Sequence, residues 1–370
     1  MKPKMLILGA GFSGVTTAHL FKDKYDVTVL ESDKFAGGGC RTQYLSGHPY
    51  TFGPRIFFSY DNEVISLMNS ILKIREFNTK TYTYVEQDGN FYNYPIQRSD
   101  IDLMPEKELI LSELSDEADD AKTMDKAENF ESYWINSVGP TLYNKFVNSY
   151  SKKMWSIESN LNLTNNFEWV NRGTPVRNGD NRLYKDQFQG YPENDNGYND
   201  FFTICLNEVS FINECKVLEY DWVKNIVSTT KGNFTADIVV NTLPVDYLFK
   251  LTFGKLKYSG RKFYPFILPC ENVFPEDMTW IHYASNEPYT RITEFKKITN
   301  HKSPHTLLGI EVPDDSSRYY PVQSFSELVR FEKYRSLFPS NFYSIGRHGS
   351  FKYKGIPDSL RDALDLKKII

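Results

Sequence analysis

Near its beginning the chain reads Met5-Leu6-Ile7-Leu8-Gly9-Ala10-Gly11-Phe12-Ser13-Gly14, an apolar run that leads into three closely spaced glycines. A second apolar run, Val27-Thr28-Val29-Leu30, ends in the carboxylate of Glu31. This order predicts a βαβ unit in which Gly9 allows a tight turn, Gly11 lets backbone amides approach a pyrophosphate, and Gly14 lets helix and strand pack closely.

The predicted unit has the features of a site for an ADP-containing dinucleotide. The helix that starts at Phe12 and Ser13 would direct its partial positive charge toward the phosphates. Glu31 would accept hydrogen bonds from the adenosine ribose. The alternative is a glycine-rich turn with no ligand.

The composition is that of a globular protein with more than one core. The chain has 370 residues, of which 40% are hydrophobic, and this length predicts two or three packed domains. The formal net charge is −4, and acidic and basic residues are interspersed along the chain. No nucleic-acid partner is therefore expected. No run approaches the roughly 20 apolar residues of a membrane span, and the mean hydropathy is −0.49.

Two further expectations follow from the same observations. The first predicted strand begins at Met5, which leaves no room for a signal peptide and predicts a cytoplasmic protein. The four cysteines are widely spaced and form no Cys-x-x-Cys pair, which argues against a disulfide scaffold, and no metal site is expected.

The remaining pattern predicts an α/β fold with two additions to the dinucleotide-binding unit. A glycine-rich loop, residues 36–42, would lie against a cofactor through Gly38 and Gly39, although a flexible exposed turn is the alternative. Aromatic and polar residues alternate between residues 80 and 91, which predicts a hairpin around Asp88-Gly89. Residues 102–163 have a helical pattern with an acidic piece at 113–120.

The second half of the chain returns to β-structure. A polar segment, residues 171–197, is either a connector or a functional loop. Residues 216–220 predict a strand, and residues 236–242 read as a buried parallel strand. Residues 262–322 predict an antiparallel sheet, and residues 360–370 an amphipathic helix.

Seven segments beyond the glycine motif resemble the flavin-dependent UDP-galactopyranose mutase family, in the order in which the family has them. The matching segments are Ser149-Tyr150-Ser151-Lys152-Lys153-Met154-Trp155, Thr174-Pro175-Val176-Arg177, Asp186-Gln187-Phe188-Gln189-Gly190-Tyr191-Pro192, Phe253-Gly254-Lys255-Leu256-Lys257-Tyr258, Pro288-Tyr289-Thr290-Arg291-Ile292-Thr293-Glu294, Tyr319-Tyr320-Pro321-Val322, and Gly346-Arg347 with Lys352-Tyr353.

The resemblance implies an isomerase that interconverts pyranose and furanose forms of a nucleotide-diphosphate sugar. In this chemistry N5 of reduced FAD attacks the anomeric carbon, the nucleoside diphosphate leaves, and the flavin-sugar adduct opens and recloses through another hydroxyl before the diphosphate returns. No net redox change results. The resemblance also implies a homodimer, and a product that serves surface glycan synthesis.

The resemblance assigns roles to individual residues. Arg177 and Arg291 match the pair that binds the pyrophosphate, and Tyr319 and Tyr353 match the tyrosines that hydrogen-bond it. Trp155 matches a tryptophan that lines the sugar pocket near the flavin. The other implied binding residues are Phe146 and Tyr150 at the nucleobase, Gln97, Phe188 and Tyr289 at the substrate, and Val217, Gly346, Arg347 and Ile356 at FAD.

The chain departs from the family at several positions. Where the family has Gly-Ala-His-Ile-Phe-His, this chain reads Gly53-Pro54-Arg55-Ile56-Phe57-Phe58, so Arg55 brings a permanent cation toward the flavin or phosphates, which would favour an anionic reduced flavin. A family tyrosine is Phe188 and a family histidine is Phe295. The loss of a hydroxyl and an imidazole at these two positions would make the pocket drier. Such a pocket favours a sugar with fewer hydroxyls, such as a 6-deoxyhexose carried by dTDP or UDP. By this criterion dTDP-fucose fits at least as well as UDP-galactose.

The domain organisation implied by the resemblance is discontinuous. A Rossmann-like FAD-binding domain would comprise residues 1–75, 198–253 and 328–370, a helical substrate domain residues 100–180, and an antiparallel sheet domain residues 76–99, 181–197 and 254–327. Two other readings remain: a redox flavoenzyme of the amine oxidase or desaturase type, and a degenerate FAD-binding protein without catalysis.

Overall fold

The computed structural model describes residues 1–116, 127–164, 176–275 and 278–370, and only the backbone of residues 115 and 116. Parts of two predicted segments, the acidic piece at 113–120 and the polar segment at 171–197, therefore lie outside the described residues, as do the motif residues Thr174 and Pro175.

The strands of the described residues are numbered in chain order. They are β1 Lys4–Leu8, β2 Asp26–Leu30, β3 Gln43–Leu45, β4 His48–Tyr50, β5 Phe57–Ser59, β6 Ile74–Glu76, β7 Lys80–Val85, β8 Asn90–Tyr94, β9 Phe188–Pro192, β10 Ser210–Ile212, β11 Val217–Asp221, β12 Ile226–Thr229, β13 Gly232–Phe234, β14 Ile238–Asn241, β15 Tyr258–Leu268, β16 Met278–Tyr283, β17 Arg291–Glu294, β18 Thr306–Asp314, β19 Tyr320–Pro321 and β20 Phe342–Ser344.

The helices are numbered in the same way. They are α1 Phe12–Phe21, α2 Asn62–Ile71, α3 Arg98–Ile101, α4 Lys107–Asp116, α5 Phe130–Tyr143, α6 Ser149–Trp155, α7 Asn199–Cys205, α8 Val245–Leu248, α9 Phe295–Thr299, α10 Phe325–Arg335, α11 Gly346–Gly349 and α12 Ile356–Ile369. Among the described residues, no helix has both the length and the apolarity to cross a membrane.

A five-stranded parallel sheet with the order β10-β2-β1-β14-β20 forms the first layer. Alternate residues of β1 enter different cores, Met5 and Ile7 on one face and Leu6 and Leu8 on the other. Because both faces are covered, β1 is apolar throughout, as a central parallel strand should be. The predicted α/β fold with a βαβ unit at its beginning is confirmed.

The strands of this sheet come from three separate parts of the chain. β1 and β2 belong to the first 30 residues, β10 and β14 lie between residues 210 and 241, and β20 lies near the end. We propose that residues 1–75, 198–253 and 328–370 form one discontinuous domain around this sheet.

A seven-stranded sheet with the order β19-β15-β18-β17-β16-β7-β8 forms the second layer. It contains the predicted hairpin, since β7 and β8 pair antiparallel on either side of Asp88-Gly89. Its pairings are antiparallel except that β16 runs parallel to β7. The register places Arg291 of β17 directly opposite Glu311 of β18, so the two side chains lie on the same face of the sheet.

The helices α4, α5 and α6 surround a separate core that contains Trp134, Leu142 and Trp155. The chain bends inside α5 at Gly139, whose φ is +80°, immediately before Pro140. The carboxylate of Glu113 accepts hydrogen bonds from the amide and the hydroxyl of Thr141, at 2.9 and 2.7 Å. This side chain satisfies donors that the bend frees, which explains how the helix continues after the proline.

The C-terminal helix starts four residues earlier than the apolar pattern predicts. The side chain of Asp358 accepts a hydrogen bond from the amide of Gly355 at 2.6 Å, and Pro357 lies in the first turn of α12. Both features favour a helix start, and neither contributes to the apolar periodicity on which the prediction was based.

Contact between the glycine turn and α1 fixes the geometry of the βαβ unit. A Cβ atom on Gly14 would lie 2.0 Å from the carbonyl oxygen of Gly9, whereas a Cβ atom on Gly11 would meet nothing within 4 Å. Gly14 is therefore required for packing, while Gly11 leaves its surroundings open.

We predict that Gly14→Ala lowers the free energy of unfolding by about 1–3 kcal/mol, because the added methyl group forces α1 away from β1. Gly11→Ala is the matched control, and we expect its cost to stay below about 1 kcal/mol since only the preference at the helix N-cap changes. Urea unfolding followed by circular dichroism measures both values. Equal losses for the two variants would contradict this account.

Candidate active site

A cleft of about 320 Å³ lies at the carboxyl ends of the parallel strands. The residues that follow three of these strands line it: Gly9 after β1, Thr242 after β14, and Gly346 after β20. Ligands of open α/β sheets bind at this edge, where the connections diverge.

The end of the cleft beside α1 has the chemistry of a dinucleotide site. Gly11 precedes the first turn of α1, so the free amides of that helix are available to a phosphate. The carboxylate of Glu31 lies at the same end and accepts hydrogen bonds from the amides of Ala10 and Asp33, at 2.8 and 2.9 Å. Gly346 approaches α1 so closely that a Cβ atom on it would lie 2.6 Å from Oγ of Ser13.

Arg291 lies on the cleft and forms a two-fold ion pair with Glu311. Its Nε and Nη2 atoms donate to the two carboxylate oxygens at 2.7 and 2.8 Å. Burial alone would raise the pKa of Glu311, but the adjacent Arg291 outweighs this effect and the pKa is lowered. The carboxylate thus stays ionised and holds the guanidinium in one orientation.

Tyr320 is buried, and three guanidinium groups surround it. Those of Arg347 and Arg261 lie 4.8 and 5.2 Å from the centre of its ring, and Arg55 interacts with its hydroxyl. Burial would raise the pKa of the phenol, but Arg55 and Arg347 outweigh it and lower the pKa to about 8. The cleft therefore has a strongly positive interior.

Three aromatic rings pack together beside these cations. Tyr320 and Tyr353 are stacked with ring centres 5.4 Å apart. Trp155 contacts both of them edge-on at 5.8 Å and is completely buried. It therefore supports the tyrosines from behind and does not line the cleft.

Most residues predicted for the cofactor and several predicted for catalysis lie on this one cleft. Those that line it are Gly9, Gly11, Phe12, Ser13, Glu31, Gly38, Gly39, Arg55, Arg291, Tyr319, Gly346, Arg347, Tyr353 and Ile356. We refer to the four residues predicted to bind the pyrophosphate as the clamp residues. Three of them, Arg291, Tyr319 and Tyr353, share a cleft with the Gly9 turn.

Arg177, the fourth predicted clamp residue, is not part of the cleft lining. Its backbone pairs with that of Gln97, and its Nη1 atom donates to the carbonyl of Arg182 at 2.5 Å. Burial lowers the pKa of this guanidinium. Its Nε atom is buried without a hydrogen-bond partner among the described residues.

The other predicted residues that do not line the cleft pack elsewhere. Phe146 and Tyr150 are buried in the helical core, where Phe146 faces Tyr92 and Tyr150 faces His282. Gln97 donates to the carbonyls of Pro95 and Asp180. Phe188 packs on Phe57, Tyr289 packs on Tyr283, Val217 begins β11, and Gly14 lies under the turn.

The lining of the cleft differs from the lining predicted for the sugar pocket. Phe188 and Phe295 are predicted to make the pocket drier, but neither lines the cleft. Phe188 packs on Phe57, and Phe295 lies in a separate core with Tyr50 and Leu307. Phe58 does line the cleft and stacks on Tyr184 with ring centres 3.9 Å apart. Family histidines are replaced by Arg55, Phe58 and Phe295. Of these three replacements, only Phe58 places an apolar ring on the cleft.

Sequence reasoning missed several residues of the site. Glu311, Arg261 and Tyr320 were not predicted as partners of the arginines, and Trp280, which lines the cleft, was not singled out. Their significance depends on strand register, since β17 and β18 pair Arg291 with Glu311. The sequence did contain a signal for Tyr320, which lies in the matching segment Tyr319-Tyr320-Pro321-Val322. The described residues contain no group of three His, Cys, Asp or Glu side chains arranged to hold a metal ion.

We predict that Tyr320 is the tyrosine that ionises first, with a midpoint near pH 8. Its phenolate is stabilised by the arginines, so the charged form increases as the pH rises through that value. A tyrosinate absorbance titration of wild-type protein and Tyr320→Phe measures this step. Tyr319→Phe is the matched control, because burial raises the pKa of Tyr319. A wild-type protein without any tyrosine titrating below about pH 9 would contradict the predicted shift.

Comparisons with known proteins agree with this arrangement. Over its full length the chain is similar to a dTDP-fucopyranose mutase of Escherichia coli, with 25% identity across 99% of this chain and 98% of the relative. A Klebsiella pneumoniae protein named "Probable UDP-galactopyranose mutase" is 24% identical across 97% of this chain and 92% of its own length. The solved structure of a reduced UDP-galactopyranose mutase superposes with a TM-score of 0.84 at 18% identity, covering 100% of this chain and 94% of that one.

Family models match both parts of the site. Residues 7–71 match the NAD(P)-binding Rossmann-like domain. Residues 145–353 match the model of the UDP-galactopyranose mutase family, a span that covers more than half of the chain and includes Arg177, Arg291, Tyr319 and Tyr353. The chain belongs to the UDP-galactopyranose mutase family.

Proposed function

We propose that the protein is a flavin-dependent isomerase that interconverts the pyranose and furanose forms of a nucleotide-diphosphate sugar. Family membership supports the reaction class. The observation that carries the proposal is that Arg291, Tyr319 and Tyr353 line the same cleft as the Gly9 turn. A redox flavoenzyme without a diphosphate substrate would have no need for that combination.

The cofactor we propose is FAD, active in its reduced form. The glycine turn, the free amides of α1 and the carboxylate of Glu31 fit an adenine dinucleotide. The second glycine loop, with Gly38 and Gly39, lines the same cleft. Reduced flavin would supply an electron-rich N5 atom as the nucleophile, and no external oxidant would be needed because the isomerisation leaves the flavin in its reduced state.

The protein's own residues would bind and orient the diphosphate. Glu311 fixes the orientation of Arg291 through Nε and Nη2, and Nη1, which does not take part in these two bonds, would donate to the diphosphate. Arg347 donates to the carbonyls of Lys354 and Tyr319 and so keeps its charge at the cleft. Tyr319 and Tyr353 would add phenolic hydrogen bonds. A substrate fixed in this way reacts without the entropy cost of bringing it to the flavin.

Four predicted site residues do not line the cleft and would act from beside it: Arg177, Phe146, Tyr150 and Trp155. We propose that Arg177 contributes to diphosphate binding, because its Nε atom is buried without a hydrogen-bond partner among the described residues. We propose that the aromatic residues of the helical core, Phe146 and Tyr150, contact the nucleobase. Trp155 would hold Tyr353 and Tyr320 in place and exclude water from the reacting carbon.

The sugar we propose is a 6-deoxyhexose, carried by dTDP or UDP. The apolar ring of Phe58 on the cleft favours a substrate with one hydroxyl fewer, since an unpaired hydroxyl in an apolar site is costly. The similarity to a dTDP-fucopyranose mutase supports the same assignment. We further propose that the enzyme is a homodimer whose furanose product serves glycan synthesis.

The decisive experiment incubates the protein, reduced with dithionite, with a panel of UDP- and dTDP-hexoses and their 6-deoxy analogues. We expect NMR to detect a furanose form from the deoxyhexose nucleotide, and none when the flavin is kept oxidised. Consumption of the sugar nucleotide with oxygen uptake would instead indicate a redox flavoenzyme. A yellow protein that is inert toward the whole panel would indicate a non-catalytic relative.

We predict that Arg291→Lys lowers kcat/KM by about tenfold or more while flavin binding is retained. Lysine keeps the charge but loses the two-fold hydrogen bonding to Glu311 and the planar donors for the diphosphate, and such charged hydrogen bonds contribute about 1.5–3 kcal/mol each. Steady-state kinetics with the deoxyhexose nucleotide measures the effect. Arg335→Lys on the exposed side of α10 is the control. Unchanged kinetics in Arg291→Lys would remove this residue from the proposed clamp.

We predict that Arg55→Ala lowers the reduction potential of the bound flavin. The cation stabilises the anionic reduced form, so its removal disfavours reduction. The titration should be made below pH 8, where the Tyr320 phenol is mostly protonated and adds no charge of its own. Arg55→Lys should keep most of the wild-type potential. A potential that is the same in all three proteins would show that Arg55 has no such role.

A further inference from the structure

The ammonium group of Lys153, on α6, is enclosed by the loop that joins β16 to β17. Its Nζ atom donates hydrogen bonds to the backbone carbonyls of Tyr283, Ser285 and Glu287, at 2.9, 3.0 and 2.8 Å. We call these three carbonyls the carbonyl cage. An ammonium has three N–H donors, so the cage accepts all of them. The carboxylate of Glu287 lies 3.7 Å from the same Nζ atom.

The conformation of this loop depends on a positive charge at its centre. Carbonyl dipoles that point at one position repel one another unless a cation lies between them. The carboxylate of Glu287 adds a full negative charge. The side chains of Lys153 and Glu287 are 14% and 12% exposed, so water screens little of this repulsion. We therefore expect the loop to change its conformation when the ammonium is removed.

Lys153 carries its charge at neutral pH. Burial lowers the pKa of its amine to about 8, although the nearby carboxylates of Glu287 and Glu86 oppose this effect. Glu86 directly follows β7, and its amide donates to Oγ of Ser285 at 3.3 Å, so the β7–β8 hairpin contacts the same loop. At pH 7 the amine is protonated and donates to the whole cage.

The loop leads directly to the cleft. The amide of Tyr283 donates to the carbonyl of Thr290 at 3.0 Å and so closes the hairpin formed by β16 and β17. The residue after Thr290 is Arg291, which lines the cleft and is paired with Glu311. A change of the loop conformation would therefore reach Arg291 through a short stretch of chain.

The other side of the contact is the helix α6. Tyr150 lies about one helical turn before Lys153, and we propose above that it contacts the nucleobase. Lys153 thus connects the helix proposed for the nucleobase with the hairpin that carries Arg291, proposed for the diphosphate. A nucleoside diphosphate has to contact both elements at once, so its affinity depends on their spacing. Pyrophosphate alone contacts only the second element.

We propose that Lys153 is a positioning residue, which fixes the spacing between α6 and Arg291 through the carbonyl cage. This role rests on the proposed function, because it requires that a nucleoside diphosphate bind across these two elements. Lys153 itself would contact neither the substrate nor the flavin, and would act on binding only through the loop that it holds.

Calorimetric titration of the flavin-containing protein at pH 7 with dTDP, UDP and inorganic pyrophosphate tests the proposal. For Lys153→Ala we expect the Kd of the nucleotide that the wild type binds more tightly to rise about tenfold or more. The Kd of pyrophosphate should change less than about twofold, because Arg291 keeps its ion pair with Glu311.

Lys152→Ala is the matched control for these titrations. Lys152 is the preceding residue of α6, and its side chain takes no part in the carbonyl cage, so we expect Kd values equal to those of the wild type. Lys153→Met guards against misfolding of the alanine variant, since methionine fills a similar space without a charge. It should show the same selective loss of nucleotide binding.

Chemical rescue separates a positioning role from a general loss of structure. Lys153→Ala leaves the cage without a cation, and propylammonium has the size of the atoms removed and the same three donors. We expect propylammonium to lower the nucleotide Kd of Lys153→Ala toward the wild-type value in a saturable manner. Tetramethylammonium at equal ionic strength has no N–H donor and should have no effect. Neither cation should change the wild-type Kd.

Wild-type nucleotide Kd values in both Lys153→Ala and Lys153→Met would overturn the proposal. Equal losses of nucleotide and pyrophosphate binding that propylammonium does not reverse would also overturn it. A wild type that binds nucleotide but forms no furanose refutes the mutase reaction, and the Kd values of the variants then still decide the role of Lys153. A wild type that binds neither nucleotide contradicts both.

Discussion

The concentration of buried positive charge at the carboxyl end of the parallel sheet is the constraint on which the site depends. Arg55, Arg261, Arg291 and Arg347 lie around Tyr320, and Glu311 is the carboxylate paired among them. Desolvated cations in such number destabilise a protein unless anions approach them. Glu311 compensates one charge, and an ionised Tyr320 compensates another as the pH rises above about 8. The remaining charge has to be met by ligands, which is what a nucleotide diphosphate and a reduced flavin would provide.

The fold brings these cations to one place by means of two sheets. The parallel sheet delivers the residues that follow its strands, such as Gly9 and Gly346, to the edge of the cleft. The second sheet contributes Arg291 and Glu311 through the register of β17 and β18. Asp362 of α12 accepts hydrogen bonds from the amide of Gly346 and from Nζ of Lys354, which fixes the loop after α11. Arg347 of α11 donates to the carbonyl of Tyr319, the residue before β19 of the second sheet. Rigid elements thus position the charges before any ligand binds, which favours an enzyme that must orient a diphosphate beside its cofactor.

Local sequence patterns predict several elements of the fold, but they do not predict which side chains meet in the site. The βαβ unit, the hairpin at Asp88-Gly89 and the buried strand β14 follow from periodicity and turn residues, and these are properties of short segments. The position of Arg177 away from the cleft lining, and that of Phe295 in a separate core, depend on long-range packing that no short segment encodes. The pairing of Arg291 with Glu311 depends on strand register, and the α12 start at Ile356 depends on the Asp358 side chain. The order of the motifs was sufficient to identify the family. The hydrogen-bond and packing partners of each motif residue became known only from the structure.

The central claim is that the cations of the cleft hold the diphosphate of a nucleotide sugar next to the dinucleotide turn. The most direct measurement is a crystal structure of the reduced protein with a bound dTDP- or UDP-deoxyhexose. The account predicts diphosphate oxygens within about 3 Å of the Arg291 guanidinium and of the Tyr353 hydroxyl, with the flavin in the cleft beside Gly9. Density for the diphosphate outside this cleft, with Arg291 and Tyr353 making no contact to it, would contradict the claim.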